Sequence, residues 1–309
     1  AGVLTTASAM FKRYRGATKT EELYKELKYV LDTFAKPLLE LTLELSAGLE
    51  ANVGNVEASR QLLTCLRLAC RVFFSLNSQE LPEVFEDAMA EWMGAFHKFL
   101  TYDAPAGLAS SDDEKASEVD QVKAAVCDNI NLYIEKNEEE FAPYLQTFVQ
   151  DVWTLLMATD LKANRDHLVT SGVKFLTTVA SSVHYKLFES SDTLRQVCEN
   201  IIIPNLQFRE EDEELFEDNH VEYIRRDLEG SDADTRRRGA CELVKALTAK
   251  FPEQVTSAVT GYVSSLLAQY ASDPKKFWKA KDAAIYLVIA LTVRSKSLVK
   301  GATETNNLV

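Results

Sequence analysis

Apolar residues recur every three or four positions through almost the whole chain. Leu81, Phe85, Ala88, Trp92, Phe96 and Phe99 form one such stripe, opening at Leu81-Pro82, and Leu62, Leu66, Ala69, Cys70 and Phe73 form another before it. The spacing returns in Leu145, Phe148, Val152 and Leu155, and in Val259, Val263, Leu266, Leu267 and Tyr270. A period near 3.6 puts each set on one side of a helix, and no segment sustains a period of two, so the pattern predicts helices and no sheet. Breaker residues then place helices at about 20–50, 55–76, 81–101, 116–136, 138–158, 164–183, 190–206, 217–228, 232–250, 252–272 and 277–295.

Adjacent long helices joined by short turns, at a spacing near the ~40–47 residues of HEAT and armadillo arrays, predict an all-α fold of stacked antiparallel helix hairpins. The expected architecture is a HEAT-repeat superhelix, an α-solenoid running as one continuous array over residues 1–309. A compact bundle is the alternative, but so many helices in series are more simply accommodated as stacked hairpins. Two segments interrupt the pairing. Residues 101–115, TYDAPAGLASSDDEK, read as a solvated inter-helix loop, and residues 208–234 read as an acidic insertion.

Composition narrows the function. With 34 Lys plus Arg against 47 Asp plus Glu, the net charge is −13 and the pI about 4.9, which disfavours nucleic acid and anionic lipid and favours basic protein surfaces as partners. The five cysteines, Cys65, Cys70, Cys127, Cys198 and Cys241, lie singly in apolar stretches and read as reduced core thiols. There is no Asn-x-Ser/Thr sequon and no apolar run of about 18 residues, so neither glycosylation nor a membrane span is expected. The start, AGVLTTASAM, and the end, TNNLV, carry no terminal motif and are expected to lie inside a longer polypeptide.

Enzymatic signatures are missing. The chain has no GxxxxGK[ST], GxGxxG, GxSxG or HExxH, so no catalysis and no cofactor are expected. His97, His167, His184 and His220 are scattered without a partner at ligand spacing and read as surface or capping residues rather than metal ligands. DLEGSDAD lacks the alternating ligands and closing Glu of a calcium loop.

The 208–234 segment carries the most unusual chemistry. Eight carboxylates, Glu210, Glu211, Asp212, Glu213, Glu214, Glu217, Asp218 and Glu222, interleave with Leu215, Phe216, Val221, Tyr223 and Ile224. Solvating tails lack such apolar anchors. The residues alone leave two readings open, an exposed acidic face on a linker or a docked insertion that offers carboxylates to a basic protein. Arg225, Arg226, Arg236, Arg237 and Arg238 reverse the charge within a few turns. Ser231 and Asp234 make a candidate capping box for the next helix, whose buried face is Ala240, Leu243, Val244 and Leu247. Arg236 to Arg238 would then sit in its first turns, where the helix dipole disfavours cations unless carboxylates lie close.

The stretch NLQFREEDEELFEDNHVEYIRRDLEGSDADTRRRGACELVKAL, followed by FWKAKDAAIYLV, resembles the importin-β (karyopherin) family of nuclear transport receptors, in its importin-α-exporting branch. MFKRYR, FFSLNSQELPEVFEDAMAEWM, CDNINLYIEKNEEEF and VHYKLFE resemble it in the same order, so the likeness spans nearly the whole chain. The resemblance implies a right-handed HEAT superhelix that binds importin-α as cargo together with Ran in its GTP form, shuttling between nucleus and cytoplasm. It also implies that residues 208–234 are an insertion in a central repeat, with protein-binding residues Glu210, Glu211, Asp212, Glu213, Glu214, Glu217, Asp218, Glu222, Arg225, Arg226, Asp232, Asp234, Arg236, Arg237 and Arg238. Amino- and carboxy-terminal repeats of the family are missing here, and Gly239 stands where the family has Ala. A generic HEAT scaffold of another transport or signalling complex is the alternative function.

Overall fold

The structure is a computed structural model that describes residues 1–110, 112, 114–227 and 235–292. It is helical throughout, with no strand among the described residues, and divides into two compact units, Ala1–Ala158 and Thr159–Val309.

Among the described residues, the helices of ten residues or more in the first unit are α1 (Gly2–Phe11), α2 (Glu21–Ala51), α3 (Val56–Asn77), α4 (Met89–Leu100), α5 (Glu118–Lys136) and α6 (Glu138–Ala158). Their starts follow from local chemistry. Thr20, Asn55 and Ser117 accept from the backbone N–H groups of Leu23 (3.2 Å), Ala58 (3.1 Å) and Asp120 (3.0 Å), and acidic residues fill the first turns, where the helix dipole favours them. The helices pack as two layers: α3 touches α1 on one side and α5 on the other, while α4 lies against α2 and α6.

Between the layers sits an aromatic core. The Phe73 ring is 5.0 Å from Phe85, 4.4 Å from Trp92, 5.1 Å from Phe96 and 5.8 Å from Tyr133, and all five side chains are essentially inaccessible. Polar bonds set the register of α3 on α5: Tyr133 Oη donates to Asn77 Oδ1 at 3.1 Å, and Asn129 Nδ2 donates to the Cys70 carbonyl at 3.1 Å. Burial pushes the Cys70 thiol up to about 12 and that of Cys198 to about 11, so both stay protonated and behave as small core hydrophobes. No cysteine is in a disulfide.

The second unit repeats the plan. It contains α7 (Asp166–Ser181); α8, made of Ser191–Val197, a π turn over Cys198–Ile202 and Ile203–Leu206; α9 (Glu210–Asp227); α10 (Arg236–Lys250); α11 (Pro252–Ser272); and α12 (Trp278–Thr292). One layer is α7, α10 and α12 side by side, and α8 packs on α11 in the other. Helix α9 follows α8 and precedes α10 along the chain. The expected face of α10 is fully buried, with Ala240, Leu243, Val244 and Leu247 each at 0% exposure.

Several expectations are corrected. Residues 2–16 form a helix and a 3-10 turn that the apolar period did not predict; their stability comes from packing on α3. The expected 81–101 helix is broken, because Ala88 (φ −101°, ψ 20°) separates a one-turn piece, Glu83–Glu86, from α4. The widened turn in α8 precedes Pro204, which has no N–H to continue an α-helical ladder. Helix α9 begins at Glu210, one to two turns before the expected 217. Thr235 caps α10, its hydroxyl accepting from Arg238 N–H at 3.1 Å; the expected Ser231–Asp234 box lies outside the described residues. Leu267 of the α11 stripe is exposed, as is Trp278 at the start of α12 (38%). In the connection after α4, Leu108 is buried, and Arg60 Nη2 donates to the Gly107 carbonyl at 3.1 Å. A Cβ on Gly107 would stand 2.8 Å from Val56, so only glycine fits there.

Trp92→Ala is expected to lower unfolding free energy by about 3–5 kcal/mol in denaturant titration, the usual cost of emptying a large buried aromatic site. Gly239→Ala should do the opposite. The added methyl meets Val173 at 3.5 Å, an ordinary contact, and glycine within a helix costs about 1 kcal/mol relative to alanine. A melting temperature raised by a few degrees is expected.

Candidate protein-binding surface on the acidic insertion

Helix α9 is two short helices joined at a corner. Asn219 is non-helical (φ −153°, ψ 78°), and its Oδ1 accepts from the Glu222 N–H at 3.1 Å, so it ends the first segment and caps the second. Each segment keeps one anchor inward: Asp212 is 4% exposed and Tyr223 8%.

The entrance to α9 is held by Arg209. Its backbone N–H and Nε both donate to Asp212 Oδ2, at 3.1 and 3.2 Å. Nη1 and Nη2 grip Asp166 at 2.7 and 2.9 Å as a two-pronged pair, and Nη1 also donates to the Leu161 carbonyl at 3.1 Å. The exit is held by Arg236, whose Nε donates to the same Asp166 at 2.6 Å. Its other nitrogens donate to the carbonyls of Asp160 (3.0 Å) and Lys162 (2.9 Å) and to Asn205 Oδ1 (3.3 Å). Asp166, at the start of α7, is thus shared by an arginine before the insertion and another after it.

The two cations respond differently. Burial opposes the charge of Arg209, but the two carboxylates Asp166 and Asp212 outweigh it and raise its pKa. Burial dominates at Arg236: Asp166 and, more weakly, Asp160 favour its charge, but Arg209 is a like charge nearby, so its pKa falls. Both remain protonated at physiological pH.

Arg237 forms a second tie. Its Nη1 donates to Tyr223 Oη at 2.7 Å, Nη2 pairs with Asp282, and the guanidinium lies 3.7 Å from the Tyr286 ring centroid and 5.6 Å from Phe208. Phe208 in turn meets Tyr223 and Trp278 edge-on at 5.7 and 5.2 Å, and Phe216 meets Tyr223 at 5.5 Å. Lys279 Nζ completes the seam with Glu213 Oε2 at 2.8 Å.

The candidate residues therefore separate into two groups. Asp212, Arg236 and Arg237 are inside and committed to internal pairs, and Glu213 is half-buried on Lys279. Glu210, Glu211, Glu214, Glu217, Asp218, Glu222 and Arg225 face solvent, as do Phe216, Val221 and Ile224. Arg238 is half-buried at the start of α10. The side chain of Arg226, and Asp232 and Asp234 entirely, lie outside the described residues. The dipole cost expected for Arg236 and Arg237 is offset by Asp166 and Asp282, acidic residues the sequence did not single out. No group of three His, Cys, Asp or Glu able to hold a metal occurs among the described residues, and no helix there is long and apolar enough to cross a membrane. His97, read as lone, has a carboxylate partner in Asp151, 2.6 Å from its Nδ1.

Residues 10–309 match the family model of Cse1. The chain belongs to the Cse1 family. Over its whole length it is 48% identical to exportin-2 of Oreochromis niloticus and 47% identical to exportin-2 of Homo sapiens, covering 32% of each. Among solved structures it superposes with a TM-score of 0.94 and 38% identity on the exportin Cse1 in its cargo-free, cytoplasmic state, covering all of this chain and 33% of that one. This Cse1-family chain spans about a third of the length of these relatives, and its helix pairs are those of a HEAT-repeat solenoid.

Asp166→Ala is expected to cost about 3 kcal/mol, because it leaves the buried Arg236 without its ion-pair partner. Arg236→Met should cost less, since Asp166 keeps Arg209. Equal losses in paired thermal melts would show that the shared carboxylate is not the tie.

Proposed function

We propose that the chain is a HEAT-repeat segment of a nuclear export receptor that binds importin-α together with Ran-GTP and returns importin-α from nucleus to cytoplasm. The observation that carries this reading is the 47–49% identity to exportin-2 along the entire chain. The role is that of a transport receptor and not an enzyme, shuttling between the two compartments. Within it, α9 serves as a contact surface. Glu210, Glu211, Glu214, Glu217, Asp218 and Glu222 present the charge, with Glu213, Arg225, Arg226, Asp232, Asp234 and Arg238 around them, while Asp212, Arg236 and Arg237 hold the helix in place. Basic partner surfaces are the chemistry such a face fits.

The test is binding of importin-α by the intact receptor in the presence of Ran loaded with GTP or GDP. Replacing Glu211, Glu214, Glu217 and Asp218 with Lys should weaken assembly about tenfold or more at low salt and leave helicity intact. The difference should shrink as salt rises, because the Debye length is only about 8 Å at physiological ionic strength. Unchanged affinity would make the acidic face a solvated surface; absence of binding by the unaltered receptor would remove the export reading itself.

A further inference from the structure

In the first unit, α1 and α5 flank α3 and α2 packs behind it, so α3 keeps one narrow strip toward solvent. Arg60, Gln61, Thr64, Arg67, Arg71 and Phe74 line that strip, none of them buried. Helical geometry puts Arg67 and Arg71 one above the other, about 6 Å apart along the axis. Arg15, from the 3-10 turn Lys12–Gly16, is brought up beside them. Its Nε donates to Ser75 Oγ at 3.0 Å, its Nη2 donates to the Arg71 carbonyl at 3.1 Å, and its guanidinium stacks 4.7 Å from the Phe74 ring centroid.

These cations are not balanced internally. Arg60 is committed, with Glu118 Oε2 at 2.5 Å and the carbonyls of Gly107 and Ala109. The guanidinium groups of Arg67 and Arg71 have no hydrogen-bond or ion-pair partner among the described residues. Burial, then the like charge of Arg71, lowers the pKa of both Arg15 and Arg67, and Asp128 and Glu118 offset this only in part. In a chain of net charge −13, specific contacts thus hold three cations together at an electrostatic cost.

We propose that Arg15, Arg67 and Arg71 form a docking strip for an extended acidic segment of a partner protein, whose alternate carboxylates pair with the guanidinium groups. In an extended chain every second side chain faces the same way, about 6.6–6.8 Å apart, close to the pitch of Arg67 and Arg71. The planar fork of each arginine matches a carboxylate with two parallel hydrogen bonds, and the anchoring of Arg15 lowers the entropy lost on pairing. Discrete carboxylates suit the strip better than a nucleic acid backbone. Asp128 and Glu118 of α5 lie close to Arg15 and Arg67; a phosphate chain would be repelled there, whereas a peptide can place neutral residues opposite them.

The experiment is fluorescence anisotropy of the 309-residue chain with a labelled peptide of alternating Glu and Gly, beside a Lys-Gly peptide and a single-stranded oligonucleotide of equal length. Saturable, salt-sensitive binding of the acidic peptide alone is expected. The double variant Arg67→Gln, Arg71→Gln should bind at least about tenfold more weakly, and its melting temperature should be unchanged or raised, because a like-charge contact has gone. Arg67→Lys with Arg71→Lys, which keeps the charge and loses the fork, should fall between the two. No binding by the unaltered chain, equal binding by the glutamine variant, or tighter binding of the oligonucleotide would each overturn the proposal.

Discussion

The Asp166 carboxylate, gripped by arginines from both sides of the acidic segment, is the tie on which the shape of the second unit depends. A separate helix set between α8 and α10 creates a problem the apolar stripe cannot solve. The stripe aligns α10 with α7 and α12, but it does not say where the intervening chain leaves and returns. A carboxylate at the first turn of α7 settles both ends at once. It also places a negative charge against Arg236, itself in the first turn of α10, where the positive end of the helix would otherwise repel it. Such a network adds little net stability over a well-packed apolar contact. Its value is directional: hydrogen bonds of 2.6–2.9 Å admit one arrangement, whereas apolar packing tolerates several.

Long helices were readable from the sequence because their signal is redundant. A helix of twenty residues repeats its apolar period five times, and α3, α5 and α6 appear within a residue or two of their expected limits. Short or interrupted elements were not, because a tertiary contact decides them. Helix α1 has too few turns to show a period. The break at Ala88 has neither glycine nor a proline at that position. The π turn of α8 depends on how Pro204 meets its neighbours.

The insertion was readable in composition and not in geometry. Its acidic run and its apolar anchors stand out in sequence, yet which carboxylates turn inward is settled by Arg209 and Lys279, and only the first adjoins the run. The burial of Arg236 and Arg237 was hidden for the same reason. Asp166 and Asp282 lie tens of residues away, and no local pattern announces that they converge on the start of α10. Trp278 shows the reverse case, a large aromatic that the fold leaves partly outside. It lies at the first position of α12, beyond the packed length of the stripe, and covers Phe208 with one edge in solvent.

What α9 leaves exposed is as informative as what it buries. Phe216, Val221 and Ile224 remain 46%, 50% and 37% accessible among the outward carboxylates. The two kinds of group contribute different things to recognition. Exposed charges act over several ångströms, speed encounter and select the sign of the partner, but salt screens them. Apolar side chains act only at contact and are not screened, so their share of affinity persists as ionic strength rises. A partner held by charge alone would dissociate from α9 as salt is added, whereas one that also covers Phe216 and Val221 would retain a salt-resistant remainder. The corner at Asn219 sets this balance, because it turns the segment carrying Val221 and Ile224 out of line with the segment carrying Glu210, Glu211 and Glu214. A rigid straight helix would present one face; the kinked one offers a basic and partly apolar partner two surfaces at an angle, which favours a shaped partner over a merely charged one.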